Sequence, residues 1–192
     1  MKEKVQYLLM LIIYVTLIII LSFLPNVGFI KVNYLTISVV SVLVIIASIK
    51  DGYLAGAICG LTFGLCSYFV AKDYAMNPID AINKNIIIAI LPRVFLGLSA
   101  RYVHLWFYKI FKLRWLSAMV SSIICFEVMT AFVFLFSYLF EWEILVSIYH
   151  ETNPLYLFFQ YIQVTNLIEV SVITIVTGLL TLIYEYMFLK RD

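Results

Sequence analysis

Long apolar blocks alternate with short polar stretches along the whole chain. Six blocks approach or exceed the roughly 20 residues that a helix needs to cross a bilayer: Val5–Leu24, Tyr34–Ile49, Tyr53–Ala71, Ile86–Phe107, Leu116–Phe140 and Val164–Leu189. The second block is the shortest, with 16 residues, and it spans if Val32 and Asn33 join it or if the helix tilts little. The pattern predicts an all-α integral membrane protein, a bundle of six transmembrane helices that forms a single domain over residues 1–192.

The distribution of lysine and arginine predicts the orientation, because short cytoplasmic loops are enriched in these residues. With the N-terminus inside, nine basic residues belong to inner segments: Lys2, Lys4, Lys50, Arg101, Lys109, Lys112, Arg114, Lys190 and Arg191. Only Lys31, Lys72 and Lys84 belong to outer segments. Both termini are therefore predicted to be cytoplasmic, which requires an even number of spans. The outer connections are then the long ones, and long structured loops on one side often carry function: Pro25–Asn33, Lys72–Asn85 and Glu141–Gln163.

Composition and motifs exclude several classes of protein. Hydrophobic residues make up 65% of the chain and charged residues 12%, against roughly 25% charged residues in soluble domains. The net charge of +2 comes without a basic run, so we expect no nucleic-acid partner. The three cysteines lie in apolar blocks without metal-ligand spacing, and no nucleotide-binding or nucleophile motif is present. We expect no enzyme activity, no metal and no cofactor, so uphill transport would need an ion gradient or a partner.

Glycines recur at four-residue spacing in the third block, at Gly52, Gly56, Gly60 and Gly64. This spacing places them on one face of a helix, where another backbone can approach closely. One interpretation is packing within the bundle. The other is a flat face, formed by Gly56, Gly60 and Gly64, that docks a partner subunit.

Arg93 follows Pro92 near the start of the fourth block, where we expect the proline to open a helix. An arginine inside a membrane is unfavourable unless it is paired or faces a cavity. It could extend to the outer headgroups or form a structural ion pair, with Glu169 as a candidate partner. Alternatively, its planar guanidinium holds a carboxylate or phosphate of a substrate.

Further polar residues interrupt the last two blocks. Gln163, Asn166 and Glu169 follow one another at three-residue spacing, so they share one face near the start of the sixth helix. They either line a cavity or make hydrogen bonds between helices. Glu127 lies near the middle of the fifth block and is a functional candidate or a protonated, hydrogen-bonded side chain. Asn33 and Asn77 in the outer loops complete the set of candidate substrate-binding residues.

Two segments together resemble a known family. The stretch from Gly56 to Ser67, GAICGLTFGLCS, resembles the third-helix signature of the S components of energy-coupling factor (ECF) transporters, and the stretch from Leu91 to Gly97, LPRVFLG, resembles a fourth-helix motif of that family. The residues from Asn166 to Glu169, NLIE, resemble an N-x-x-E element that opens the sixth helix. The resemblance covers about residues 8–189 and is strongest to the subgroup that contains pantothenate S components.

The resemblance implies a mechanism and a set of partners. An S component binds a small vitamin or precursor from outside, and pairs with a transmembrane coupling subunit that carries two cytoplasmic ATPase subunits. It topples in the membrane to release the substrate inward. The matching positions make Arg93, Asn166 and Glu169 residues of the binding cavity, and they imply a multi-pass protein of the bacterial plasma membrane. Two alternatives from other classes are a standalone proton-coupled secondary transporter and a non-transporting membrane scaffold.

Overall fold

The computed structural model describes residues 2–24, 27–32, 35–74, 81–150 and 152–186. In chain order the elements are α1 (Lys2–Phe23), β1 (Phe29–Val32), β2 (Leu35–Ser38), α2 (Val40–Asp51), α3 (Tyr53–Tyr74), α4 (Ile86–Phe111), α5 (Arg114–Phe140), α6 (Trp142–Tyr149) and α7 (Pro154–Tyr184). Within the described residues, five helices are long and apolar enough to cross a membrane, namely α1, α3, α4, α5 and α7. The end of the bundle that carries α6 is called the α6 end below.

The second apolar block differs from its prediction. Its first residues form β2, which pairs with β1 in an antiparallel hairpin with Phe29 opposite Ser38. The remainder forms α2, whose 12 residues extend about 18 Å at 1.5 Å per residue. A bilayer core is about 30 Å thick. The prediction of a sixth full-length spanning helix is therefore wrong for this block, and an all-α description misses the hairpin. Adjacent β-branched residues such as Thr36 and Ile37 favour the extended conformation that the pairing stabilises.

Glu141–Gln163 was predicted as a loop, and most of it is helical. It contains α6 and the first turns of α7. Asn153 caps α7, because its Oδ1 accepts a hydrogen bond from the Leu155 N–H at 3.1 Å, and Pro154 stands at the first helical position. An Asn-Pro pair is thus a helix start here rather than a loop signal.

α2 is fastened to α4 in the interior of the bundle. Ser48 Oγ donates a hydrogen bond to Gly97 O at 2.6 Å and accepts one from the Arg101 N–H at 3.1 Å. Arg101 Nη1 also donates to Ile49 O at 3.2 Å, which stabilises the carbonyl end of the α2 dipole. Arg101 therefore lies within α4, ten residues before Phe111, and does not belong to an inner loop as its charge suggested.

The glycine row of α3 packs against α4. A Cβ atom at Gly56 would collide with the carbonyl oxygen of Gly97, and one at Gly60 with the carbonyl oxygen of Arg93. At Gly64 it would lie 2.7 Å from the Ile90 Cα. Because α4 of the same chain covers this face, the prediction that Gly56, Gly60 and Gly64 dock a partner subunit is wrong, and the packing alternative is confirmed.

Candidate functional site

Glu127 and Glu169 lie at the same depth on two neighbouring helices. Ser122 Oγ on α5 donates a hydrogen bond to Thr174 Oγ1 on α7 at 3.4 Å. The two helices are antiparallel, since the ring of Phe134 meets a ring near the start of α7. Glu127 lies five residues from Ser122 along α5, and Glu169 lies five residues from Thr174 along α7, both toward the α6 end. The two glutamates are therefore at the same depth.

Arg93 lies on α4 at nearly the same depth as the two carboxyl groups. Ser121 Oγ on α5 donates to Ala100 O on α4 at 3.2 Å. Toward the α6 end, Glu127 lies six residues from Ser121 on α5, and Arg93 lies seven residues from Ala100 on α4. A difference of one residue is about 1.5 Å along a helix, so three ionisable side chains from three helices, Arg93, Glu127 and Glu169, form one layer, called the charged layer below.

Arg93 binds a carbonyl group that Pro92 leaves without its helical partner. α4 begins at Ile86, and Pro92 lies inside it rather than at its start, so the expectation that this proline opens the helix is wrong. A proline has no N–H, and it therefore cannot donate to the carbonyl four residues earlier, which belongs to Ile88. Arg93 Nη1 donates to Ile88 O at 2.9 Å instead.

The Arg93 head is also held from outside α4. Its side chain is 8% exposed, and Nη2 donates to Asn83 Oδ1 at 3.0 Å. The guanidinium carbon lies 5.4 Å from the centroid of the Phe63 ring on α3, within the range of a cation–π interaction. Phe63 in turn stacks on Phe29 of the β-hairpin at 6.1 Å between centroids. The hairpin is thereby connected to the charged layer.

Glu169 is bound by the backbone at the start of α2. Its Oε1 accepts a hydrogen bond from the Ser38 N–H at 2.8 Å, which ties β2 to α7. The N-cap residue of α2 is Val39, whose side chain makes no capping hydrogen bond. Because Ser38 directly precedes Val39, the Glu169 carboxyl group lies near the positive end of the α2 dipole and complements it. Arg93 lies at the same depth, but the described hydrogen bond of the carboxylate goes to Ser38. Glu169 lies about four turns into α7, deeper than the sequence suggested, because α7 begins at Pro154.

The structure describes the remaining predicted site residues only in part. Gln163 and Asn166 lie in α7, whose helical backbone puts them on the face of Glu169, while their side chains fall outside the described residues. Asn33 and Asn77 lie outside the described residues altogether. Glu127 is half-buried on α5.

Two partners of the charged layer were not among the predicted site residues: Asn83 and the backbone amide of Ser38. Asn83 stood in a predicted outer loop among several polar residues, and nothing in its local sequence set it apart. The amide of Ser38 carries no side-chain signal at all. The one available hint was the Pro92-Arg93 pair, since a proline inside a helix leaves a carbonyl that a following arginine can reach.

Two solved structures share the fold. One, described as "Native-SAD phasing for ThiT from Listeria monocytogenes serovar", has a TM-score of 0.62 at 19% identity, with 98% of this chain and 97% of that chain covered. The other, described as "Structure and mechanism of the S component of a bacterial ECF transporter", has a TM-score of 0.62 at 24% identity, with 98% and 99% covered. At these identities the similarity concerns the fold alone. No curated protein sequence matches the chain.

A family model assigns nearly the whole sequence. The model for "ECF transporter, substrate-specific component" matches residues 6–181, from α1 into α7, and so includes the charged layer. This family consists of transporter subunits and not of enzymes, which confirms the expectation that the chain has no enzyme activity. With five helices able to span a bilayer, the chain is a multi-pass membrane protein that belongs to the substrate-specific component family of ECF transporters.

Proposed function

We propose that this chain binds a vitamin or vitamin precursor at the charged layer and takes part in its uptake across the bacterial plasma membrane, with pantothenate as the first candidate. The observation that carries the proposal is that a guanidinium and a carboxyl group are each fixed by their own hydrogen bonds. Arg93 is oriented by Ile88 O and Asn83, and Glu169 by the Ser38 N–H. Both side chains are thus positioned before a ligand arrives, which lowers the entropy lost on binding.

A ligand with an acidic group and several hydroxyl or amide groups suits this layer. The Arg93 guanidinium would hold the acid, since its fork of N–H donors matches a carboxylate. Glu169 and Glu127 would accept hydrogen bonds from hydroxyl groups, and Gln163 and Asn166 would bind an amide from the same face of α7. An analogue that lacks one of these groups would leave a buried polar atom unpaired, which is the physical basis of selectivity.

The entrance of the site would lie at the α6 end, and we propose Asn33 and Asn77 as further substrate-binding residues. We place this end outside the cell and both termini in the cytoplasm. The basic residues Lys109, Lys112 and Arg114, at the opposite end where α4 meets α5, support that orientation. The whole chain then acts as a single transmembrane substrate-binding domain.

Members of this family bind a small-molecule substrate and pair with an ECF module. For this chain we propose a module with one transmembrane coupling subunit and two cytoplasmic ATPase subunits. The sequence has no phosphate-binding motif of its own, so the energy would come from that module. Family membership favours this function over a standalone proton-coupled transporter or a scaffold.

Ligand binding by the purified protein in detergent tests the proposal. The chain would be titrated with a panel of vitamins and precursors, led by pantothenate, while thermal unfolding is followed. A ligand at a thousandfold excess over its Kd stabilises the folded state by about 4 kcal/mol, so a nanomolar binder at micromolar concentration is easily detected. We expect one compound of the panel to do this. No stabilisation by any of them would contradict the proposal.

Replacing Pro92 with alanine tests the link between α4 and the ligand. The new N–H can donate to Ile88 O and so complete the helix, which weakens the hold of that carbonyl on Arg93 Nη1 because the two donors then compete for it. We therefore expect P92A to unfold at the same temperature as the wild type or higher, and to bind pantothenate several-fold more weakly. Affinity equal to that of the wild type would show that the Ile88 contact does not orient Arg93 for the ligand.

A further inference from the structure

Arg93 is positioned by a residue outside its own helix. Its Nη2 donates to Asn83 Oδ1 at 3.0 Å, while Nη1 donates to Ile88 O at 2.9 Å. Both terminal nitrogens of the guanidinium are therefore bound, which restricts rotation of the planar group. Ile88 belongs to α4 together with Arg93, so of these two hydrogen bonds the one to Asn83 aligns the guanidinium with a segment outside α4.

Asn83 is itself fixed on both sides. Ile82 is 1% exposed and packs in an apolar cluster that includes Phe134 of α5. On the other side, Asn85 caps α4 and donates from Nδ2 to Glu141 Oε1 at 3.0 Å. The amide of Asn83 thus stands between two anchored neighbours. This backbone position limits the places that the Asn83 side chain can reach, so its Oδ1 is an acceptor with which Arg93 can align.

The chemical nature of this acceptor matters as much as its position. An amide oxygen carries no net charge, so it orients the guanidinium without cancelling the charge. An aspartate at the same place would form an ion pair with Arg93 and would compete with the acidic group of a ligand. We propose that Asn83 is a positioning residue that holds the Arg93 guanidinium by a neutral contact and thereby sets the preference of the site for acidic ligands. The preference rests on the proposed function, whereas the positioning does not.

The ligand preference is tested with a matched pair of probes, pantothenate and its analogue in which an alcohol replaces the carboxylate. We expect N83D to bind pantothenate roughly tenfold more weakly or worse, and to bind the alcohol with an affinity within about threefold of the wild type. N153D is the control, because it introduces the same charge at the exposed cap of α7 and has no contact with Arg93 among the described hydrogen bonds. Equal losses for both probes in N83D would overturn the role in preference.

A second measurement needs no ligand. In protein labelled with ¹⁵N-arginine, the side-chain signals of Arg93 are identified by their absence in R93K. We expect N83A to speed up rotation of the guanidinium and to broaden or merge its Nη signals, and N83D to keep them separate. Unchanged Arg93 signals in N83A would overturn the positioning role.

The two measurements separate the inference from the proposed function. If the wild type binds neither probe but N83A releases the Arg93 signals, the positioning role stands and the proposed ligand is wrong. If the wild type binds pantothenate and N83A changes neither the signals nor the affinity, the proposed function stands and the inference fails.

Discussion

Replacing Arg93 with alanine should weaken pantothenate binding on the order of a hundredfold or more. Removing one partner of a desolvated charge pair typically costs about 2–5 kcal/mol of binding free energy, since the other charge is left unpaired. The measurement is the Kd of the purified protein, from calorimetry or from ligand-induced thermal stabilisation. Affinity equal to that of the wild type would remove Arg93 from the site.

The same substitution also affects the fold, so a second variant is needed. Without the guanidinium, Ile88 O loses its donor, and an unsatisfied buried carbonyl costs about 1–3 kcal/mol of stability. R93K keeps the charge but not the fork that reaches Ile88 and Asn83 together, and we expect it to bind with intermediate affinity. The control substitution is R114A, because Arg114 is exposed. Arg101 is unsuitable as a control, because its side chain binds Ile49 O and so holds α2.

Replacing Gly97 with alanine should destabilise the bundle by roughly 3 kcal/mol or more, the upper end of overpacking effects. A Cβ atom at this position would collide with the carbonyl oxygen of Gly56. Both atoms belong to rigid helices, so α3 and α4 would have to separate. Because Ser48 bonds to the Gly97 carbonyl, α2 would be disturbed as well. Unfolding in detergent by heat or by denaturant measures the effect.

Gly178 supplies the matched control for this substitution. A Cβ there would lie 2.5 Å from Met119 Cγ, and the flexible methionine side chain can move aside. Because a side chain can change its rotamer whereas a helical backbone oxygen cannot move alone, we expect G178A to destabilise the fold clearly less than G97A. Equal destabilisation by the two variants would mean that the contact between α3 and α4 does not limit the stability of the fold.

The apolar blocks predicted the long helices well, because a helix that crosses a bilayer needs a run of apolar residues whatever its neighbours are. α1, α3, α4 and α5 each match a block. The same criterion failed for residues 34–49. Hydrophobicity does not distinguish a spanning helix from a strand followed by a short helix, and the pairing of β2 with β1 is a contact that the block by itself does not contain.

The charged residues of the site were predictable, and their partners were not. Arg93, Glu127 and Glu169 stand out because ionisable residues inside apolar blocks are rare. Their common depth depends on the register between helices, which is fixed by contacts such as that between Ser122 and Thr174. A direct pair between Arg93 and Glu169 seemed natural from opposite charges alone. Among the described hydrogen bonds, both side chains instead pair with neutral groups, two of which are backbone atoms without any sequence signal.

The shortness of α2 has a consequence for the biogenesis of the protein. A helix of 12 residues has too little apolar length to leave the insertion machinery for lipid by itself, and the backbone groups of the adjoining hairpin cannot face hydrocarbon. Gly52, with φ of 105°, turns the chain directly from α2 into α3. We therefore expect α2 and α3 to enter the bilayer together as a helical hairpin. α2 would stay in contact with the insertion machinery until α4 has been synthesised and can pair with Ser48. Insertion of this region is thus coupled to synthesis beyond Gly97, and a chain truncated before α4 should fail to integrate α2.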